Sequence, residues 1–457
     1  MQVIGIILLI LSGISVLHLI SPRFNTLEKI GLGYILGMAI NAFWMLVFDL
    51  ISVKINLGST FLALIVSALP GLIIGKKEVF TSFQINKFVI LKYVQNFTWL
   101  ACIFIAIYLI YAIGLKSGYW PTLEYDSVTG YDLMGKAIAH EGKINNSLFQ
   151  PSFNTREFVR LLYPPFASGN FAYAYLIGFD APNVMIVLHF VAFLLVFYSF
   201  ISKISGHMAA AFFTLLCMVT PEFFSHAAMA LTNLPNGIHT GLMMISLFLF
   251  FQSKEKRYAV VSMCLGFANT LTRTDALIFS LVGVGFMLIY SVLKKDWLVT
   301  ICYAVVSVLP FLIWNQYLAN VLHAESSAGY FVKHLFFDAD KIAQIGTYLH
   351  QYMIADAGFY GISFFLFFIM LVANLIWWKQ ETNLFLLIAL AAWFGYTFLY
   401  YQMDNTVIDS LDVLMKASYK RGLFNFIPLL WFYIACSKLS TLAFGRIEKL
   451  LYGEDKN

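Results

Sequence analysis

The first twenty residues, MQVIGIILLILSGISVLHLI (1–20), contain no Asp, Glu, Lys or Arg. An apolar run of about 20 residues is long enough to cross a bilayer as one helix. The run has neither the basic beginning nor the small-residue cleavage site that marks a secretory signal peptide. We therefore expect it to stay in the protein as the first membrane span.

Runs of the same kind recur along the whole chain, and the composition agrees with them. Of the 457 residues, 60% are hydrophobic and 12% are charged, and the mean hydropathy is +0.79. A soluble domain of this length needs a far more polar surface. We predict an all-α polytopic integral membrane protein, a single transmembrane domain over 1–457 with about thirteen transmembrane helices. Their expected positions are 2–20, 30–52, 59–75, 97–115, 182–202, 208–221, 236–252, 258–271, 276–293, 297–318, 358–377, 384–402 and 422–437.

Basic residues divide unevenly between the two sets of connecting loops. One set contains most of them: Arg23, Lys76, Lys77, Lys87, Lys92, Lys203, Lys254, Lys256, Arg257, Lys294, Lys295, Lys379, Lys438, Arg446 and Lys449. By the positive-inside rule this set is cytoplasmic. The N-terminus is then outside, the C-terminus is inside, and two long loops, 116–181 and 319–357, are extracytoplasmic. We expect a multi-pass protein of a plasma or inner membrane.

The sequence supports neither a nucleic-acid partner nor a metal or redox site built on cysteine. No basic stripe of the kind that binds nucleic acid occurs outside short loops. The five cysteines lie singly in apolar runs, and none belongs to a CxxC or Cys/His cluster. They therefore indicate neither a metal site nor a redox compartment.

The first long loop contains a charged stretch, LEYDSVTGYDLMGKAIAHEGKI (123–144). Its apolar residues recur every three or four positions, which is the spacing of an amphipathic helix. Asp132 and Lys136 can pair on one face of this helix, and Gly142 is suited to end it. Asp126, or the serine after it, is placed to cap the beginning, which would give its carboxylate a purely structural role. We expect an interfacial helix on the outer membrane surface, with a second one in the segment that follows.

Further segments put charged side chains at the same predicted face. Glu222 and His226 are four residues apart, a spacing that suits a metal pair or a hydrogen-bonded structural pair. Arg273 and Asp275 interrupt an apolar run, so they form either a structural pair or part of a cavity.

A basic cluster lies on the outer side just before the last predicted span. It consists of Lys416, Lys420 and Arg421. Basic residues on this side are the exception under the positive-inside rule. They serve either as interfacial anchors or as a site for an anion such as a lipid phosphate.

The order of these motifs resembles the GT-C class of polytopic glycosyltransferases, which includes protein O-mannosyltransferases and the lipid A aminoarabinose transferase. YDSVTGYDLMGKAIAHEGKI is similar to the acidic element in the first outer loop of that class, with Asp126 at the acidic position. YPPFASGNFAYAYLIG is similar to the Pro-containing segment that follows. LTRTDALIF and SYKRGLFNFIP resemble the later motifs, matched by Arg273 with Asp275 and by Arg421 with Pro428. Asn233 stands before "LP" where the class often has an acid.

The resemblance implies transfer of a sugar from a polyprenyl-phosphate donor, with inversion, on the extracytoplasmic side. The acceptor would be a glycolipid, a glycan or a protein, and membrane lipids would surround the site. The predicted base is Asp126, with Glu124 or Asp132 as the next choice. The predicted donor-phosphate ligands are Arg273, Lys420, Arg421 and Lys416, and the predicted supporting residues are Asp275, Tyr131, Lys136, Glu222 and His226. No metal ligand is assigned, and a Mg or Mn ion stays open.

Three alternatives remain open from the residues. A polymerase or ligase of lipid-linked glycans would use His323, His334 and His350 of the second long loop. A transporter or flippase would need charged residues near the membrane midplane and related halves. A non-enzymatic scaffold would need none of these side chains.

Overall fold

The computed structural model describes residues 1–74, 97–150, 159–324, 331–332, 334–377, 382–405 and 409–452. These ranges are helical and contain no strand; Phe331 and Met403 form one isolated bridge. The predicted basic residues Lys76, Lys77, Lys87, Lys92 and Lys379 lie outside them. In chain order the α-helices are α1 Gln2–Ile20, α2 Thr26–Leu50, α3 Leu57–Ile74, α4 Phe97–Tyr119, α5 Asp132–Glu141, α6 Phe166–Leu176, α7 Asn183–Met218, α8 Pro221–His226, α9 Asn233–Ser253, α10 Lys256–Thr272, α11 Leu277–Lys294, α12 Trp297–Asn320, α13 Ala339–His350, α14 Ala357–Tyr360, α15 Ser363–Asn374, α16 Thr382–Gln402, α17 Leu411–Leu414, α18 Lys420–Gly422, α19 Ile427–Cys436 and α20 Lys438–Tyr452.

The chain is an all-α multi-pass membrane protein. Among the described residues, nine helices are long and apolar enough to cross a membrane, or ten if the bent pair Leu411–Cys436 and Lys438–Leu450 counts as one span. The predicted thirteen are therefore not confirmed. The helices at three of the remaining predicted positions, α10, α15 and α19, have 17, 12 and 10 residues. Each is shorter than the roughly 20 residues that a straight crossing needs.

Helix α7 accounts for another difference in the count. It has 36 residues, and Gly206 in its interior has φ 84°, which is outside the helical region. A straight helix of this length would be about 54 Å long. Yet Phe223, just beyond its end, packs on Phe190 and Phe193 near its beginning, with ring centroids 5.5 and 5.4 Å apart. The chain therefore folds back at Gly206, where glycine tolerates a positive φ.

The two loop sets that the charge pattern separates also stay apart in the structure. At the beginning of α2, the buried Glu28 accepts a hydrogen bond from Lys203, which also donates to Tyr258 at 2.7 Å. At the other end of α2, Asp49 accepts from the backbone N–H of Ile144, in the first long loop, at 2.6 Å. Lys203, predicted on the cytoplasmic side, thus lies at the beginning of α2, and the first extracytoplasmic loop lies at its other end.

The charged stretch of the first loop is helical, as its periodicity predicts. It begins with a π-helical turn, Ser127–Tyr131, and continues as α5 up to Gly142, which has φ 79°. The capping role considered for Asp126 is wrong, because its side chain makes no cap hydrogen bond. The second helix of the loop, α6, is buried from Phe166 to Ala174. Protein therefore surrounds α6, so it does not lie on the membrane surface.

Candidate functional site

A cavity of about 610 Å³ lies where the first loop meets the ends of α9, α10 and the segment before α19. Residues from five separate parts of the chain line it: Asp126, Tyr131, Arg160, Tyr163, Asn233, Asn236, Arg273, Tyr396, Asp409, Ser418, Arg421, Gly422 and Asn425. Three arginines and two aspartates give it an excess of positive side chains. Its volume is within the usual range for small-molecule sites.

Asp126 lies between two of these arginines. Its Oδ1 accepts a hydrogen bond from Arg160 Nε at 2.9 Å, and its Oδ2 accepts from Arg421 Nη1 at 3.2 Å. Asp126 and Arg421 are 295 positions apart in the sequence. Charge-assisted hydrogen bonds of this kind fix both the distance and the direction of the groups they join. The cavity therefore holds a carboxylate and two guanidinium groups in one connected cluster.

Local backbone features bring these three side chains together. A π-helical turn follows Asp126 directly, and a second one, Met415–Tyr419, ends just before Lys420 and Arg421. Such turns are often found at functional sites, because the extra residue redirects neighbouring side chains. Gly130 lies in the first turn, and a Cβ there would be 2.3 Å from Arg160 Cβ. Only glycine leaves room for Arg160 to reach Asp126.

The third arginine is held more rigidly. Arg273 donates from Nε and Nη2 to the two carboxylate oxygens of Asp275, at 2.9 and 3.1 Å. Its Nη1 donates to Asn233 Oδ1 at 3.2 Å, and its guanidinium carbon lies 5.2 Å from the centre of the Tyr163 ring. Stacking on an aromatic face and a bidentate carboxylate are the interactions that guanidinium suits best. Asp275 thus orients the Arg273 guanidinium group through two hydrogen bonds.

A chain of hydrogen bonds connects Arg273 to Glu222. His226 Nδ1 donates to the Glu222 carbonyl at 3.0 Å, which leaves Nε2 as an acceptor for Asn233 Nδ2 at 3.4 Å. Asn233 in turn accepts from Arg273. Burial lowers the pKa of His226 to about 4, and nearby Arg421 acts in the same direction. His226 is therefore neutral at pH 7, and its contact with Glu222 is a hydrogen bond to the backbone and not an ion pair.

Glu222 itself has an unusual protonation equilibrium. Burial raises its pKa to about 7, although Lys420 and Arg421 act in the opposite direction. A carboxyl group of this kind changes charge near neutral pH. It does not line the cavity, and its charge acts on the site through its electrostatic interaction with Arg421.

Of the predicted site residues, Asp126, Tyr131, Arg273 and Arg421 line the cavity. The other predicted bases are elsewhere: Asp132 is buried against Tyr175 and Lys136, and Glu124 does not reach the lining.

Two predicted phosphate ligands are also engaged elsewhere. Lys416 pairs with Asp412 at 2.9 Å and Lys420 pairs with Asp356 at 2.8 Å, both outside the lining. Only Arg421 of the basic cluster contributes to the cavity.

Sequence reasoning missed several lining residues. Arg160 lies in a segment with no recognisable motif, and its nearness to Asp126 follows only from the fold. Asn236 and Asn425 form an amide pair, with Asn236 Nδ2 donating to Asn425 Oδ1 at 3.0 Å. Tyr163 and Tyr396 add aromatic walls. Polar residues in the first turn of an apolar helix were the available signal for Asn236.

The cavity suits an anion better than a divalent cation. Asp126 already accepts from two arginines, whereas Mg and Mn ions need several oxygen ligands free of such partners. No group of three or more His, Cys, Asp or Glu side chains placed to hold a metal ion occurs in the described ranges.

Comparisons with models of known protein families, with curated proteins and with solved structures find no match to this chain. What the chain does is therefore inferred from its cavity and from the motifs in its sequence.

Proposed function

We propose that the chain is a membrane glycosyltransferase of the GT-C type. It transfers a sugar from a polyprenyl-phosphate donor to a glycolipid, glycan or protein acceptor, with inversion, on the extracytoplasmic side. One observation carries the proposal: Asp126, Arg273 and Arg421, from three distant motifs, line one cavity. A transferase with a lipid-phosphate leaving group needs this combination of one carboxylate and several guanidinium groups.

The arginines supply the electrostatic part of the reaction. As the bond between the anomeric carbon and the phosphate oxygen breaks, its electron pair leaves with the phosphate, which gains negative charge. Guanidinium groups already in position stabilise that charge without having to reorganise. Arg273 is the most strongly held of the three, through Asp275 and Asn233.

Asp126 supplies the base. The acceptor hydroxyl oxygen forms the new bond to the anomeric carbon on the side opposite the phosphate, and its proton passes to the carboxylate. A base must lie within hydrogen-bond reach of the proton it takes. Asp126 fulfils this condition for a hydroxyl bound in the cavity that it lines.

The other walls of the cavity suit a sugar. Tyr131 and Tyr163 pack edge to face at 5.4 Å, and Tyr396 adds a third ring. Aromatic faces pack against the C–H surfaces of a pyranose, and the amides of Asn236 and Asn425 offer polar groups for its hydroxyls. The positive-inside pattern supports an extracytoplasmic position for this face.

The alternatives receive less support from the cavity. His323, His334 and His350, on which a polymerase or ligase would rely, do not line it. A transporter or flippase needs a path across the bilayer, whereas the lining residues come from one end of the bundle. A direct assay of phosphate release separates transport from transfer, as described in the Discussion.

The test compares surface glycans and glycolipids by mass spectrometry in the host organism. The strains lack the gene or carry it as wild type, Asp126→Asn or Asp132→Asn at matched expression. Asp132→Asn is the matched comparison, because Asp132 is a carboxylate of the same loop that faces away from the cavity. We expect a fixed sugar mass to vanish on deletion and to return with wild type and Asp132→Asn only. Its return with Asp126→Asn would refute the assignment, and an unchanged glycan profile on deletion would refute the transferase.

A further inference from the structure

The two arginines beside Asp126 are incompletely neutralised. Arg273 has its own carboxylate in Asp275, whereas the ion pairs among the described residues give Arg160 and Arg421 one shared carboxylate, that of Asp126. All three side chains of this cluster are partly exposed, at 34% for Arg160, 40% for Arg421 and 20% for Asp126. The cluster therefore has one positive charge in excess and is open to a ligand.

We infer that Arg160 and Arg421 form a clamp for a phosphate group, and that Asp126 is the internal counter-ion that the phosphate displaces. The clamp rests on the proposed function only in taking a lipid phosphate as the anion. It adds Arg160 to the binding residues, and it makes phosphate binding and release of the Asp126 carboxylate one event.

Charge balance favours exchange over simple addition. The polyprenyl phosphate that leaves the sugar is a monoester with up to two negative charges and three terminal oxygens, so it can neutralise both arginines, whereas the carboxylate and the diester of the intact donor neutralise one each. A phosphate that bound the arginines while Asp126 stayed in place would lie within a few ångströms of a second anion. Like charges at that separation repel, and the repulsion is strong in a cavity that is partly shielded from water.

The contacts also permit the exchange. Arg421 Nε donates to the Ala417 carbonyl at 2.7 Å, which holds the guanidinium group independently of Asp126. The guanidinium carbon of Arg160 lies 5.6 Å from the centre of the Tyr125 ring. Both cations therefore keep an anchor when the carboxylate leaves. Among the described residues, no hydrogen bond uses the Nη atoms of Arg160, so they are available to phosphate oxygens.

The exchange gives the carboxylate two successive partners. In the empty site it neutralises the arginines. As the bond between sugar and phosphate breaks, the leaving phosphate gains its second charge and takes both arginines, and the carboxylate takes the proton of the acceptor hydroxyl. A base that becomes free only as the donor bond breaks cannot act before the donor arrives. Arg160 and Arg421 are thus binding residues that also control when Asp126 is free.

The test is a titration of the full-length protein in nanodiscs of neutral phosphatidylcholine, followed by calorimetry. The probes are farnesyl phosphate and inorganic phosphate. Removal of a competing anion from a partly exposed pair should strengthen binding, so we expect Asp126→Asn to bind farnesyl phosphate about fivefold or more tightly than wild type. Arg160→Gln and Arg421→Gln should each bind it at least about tenfold more weakly.

The matched control is Asp180→Asn, which removes the same charge from the same long loop at an exposed residue outside the cavity lining. We expect its affinity to change less than twofold. A thermal melt of each variant checks folding, and Asp126→Ser provides a second test with a smaller side chain. Weaker or unchanged binding of farnesyl phosphate by folded Asp126→Asn and Asp126→Ser would overturn the proposal. Asp126 would then be a structural residue that positions the two arginines.

The two probes identify the source of the anion. Tighter binding of farnesyl phosphate than of inorganic phosphate supports a lipid ligand, whereas equal binding would overturn the lipid assignment. The titration measures no transfer, so its failure and the failure of the transferase in the strain comparison can be told apart.

Discussion

Replacement of Gly130 by alanine should disconnect Arg160 from Asp126 without touching either charge. The new Cβ would lie 2.3 Å from Arg160 Cβ and 3.3 Å from its Cγ. Carbon atoms in contact are normally about 3.5–4.0 Å apart, so Arg160 must retreat by roughly 1.2 Å or more. Added along the 2.9 Å hydrogen bond to Asp126, this shift gives a separation of about 4 Å, which is too long for a hydrogen bond.

The size of the effect follows from the phosphate contact that a displaced Arg160 no longer makes. A hydrogen bond to a charged group contributes about 1.5–3 kcal/mol. We therefore expect transfer to slow by roughly 10- to 150-fold. The assay is the initial rate of product formation, followed by mass spectrometry, in host membranes that supply donor and acceptor. The variants are expressed in the deletion background at matched levels.

Gly118→Ala is the control, because a Cβ at Gly118 meets nothing within 4 Å. It should keep the wild-type rate. A melting temperature for each purified variant separates a local displacement from unfolding. If folded Gly130→Ala also works at a rate within twofold of wild type, the position of Arg160 has no part in the reaction.

Three further predictions concern the surroundings of the cavity. His226→Phe keeps a ring against Phe424 but removes the hydrogen-bond acceptor for Asn233. It should slow transfer about tenfold with little change in melting temperature. An unchanged rate would show that this hydrogen-bond chain does not position Arg273. Because the pKa of Glu222 is raised to about 7, stability from its neutral form is fully present below pH 4.5 and is lost as the pH rises through 7. Glu222→Gln should therefore melt above wild type at pH 8.5 and close to it at pH 4.5, and a pH-independent difference would contradict the burial argument. Alanine at His323, His334 and His350 together should leave transfer within twofold of wild type, whereas its loss would favour a polymerase or ligase.

The architecture was largely predictable from local sequence. Apolar runs of spanning length and the periodicity of 123–144 follow from hydropathy alone, and Gly142 ends its helix as glycine is expected to. The number of spans was not predictable. The sequence separates 182–202 from 208–221, and the fold-back at Gly206 agrees with that division. Hydropathy alone does not show that α10 and α15 have only 17 and 12 residues.

The site was predictable only in part, because charge is visible in a sequence and pairing is not. Arg273 stands out as a charge in an apolar run, Arg421 belongs to a basic cluster on the predicted outer side, and Asp126 belongs to the charged stretch of the first long loop. Lys420 looks identical to Arg421 in sequence, yet it points to Asp356 while Arg421 points into the cavity. A π-helical turn precedes both residues, and the local sequence pattern does not predict such a turn.

The most direct test of the transferase follows both products of the reaction. Purified protein is reconstituted in liposomes that contain a lipid extract of the host with its acceptors, and free polyprenyl phosphate and glycosylated acceptor are quantified by mass spectrometry. We predict one polyprenyl phosphate released per sugar transferred with wild type, and release of neither product above the protein-free background with Asp126→Asn. Movement of lipid-linked sugar across the bilayer without release of polyprenyl phosphate, or equal release by Asp126→Asn, would contradict the proposal.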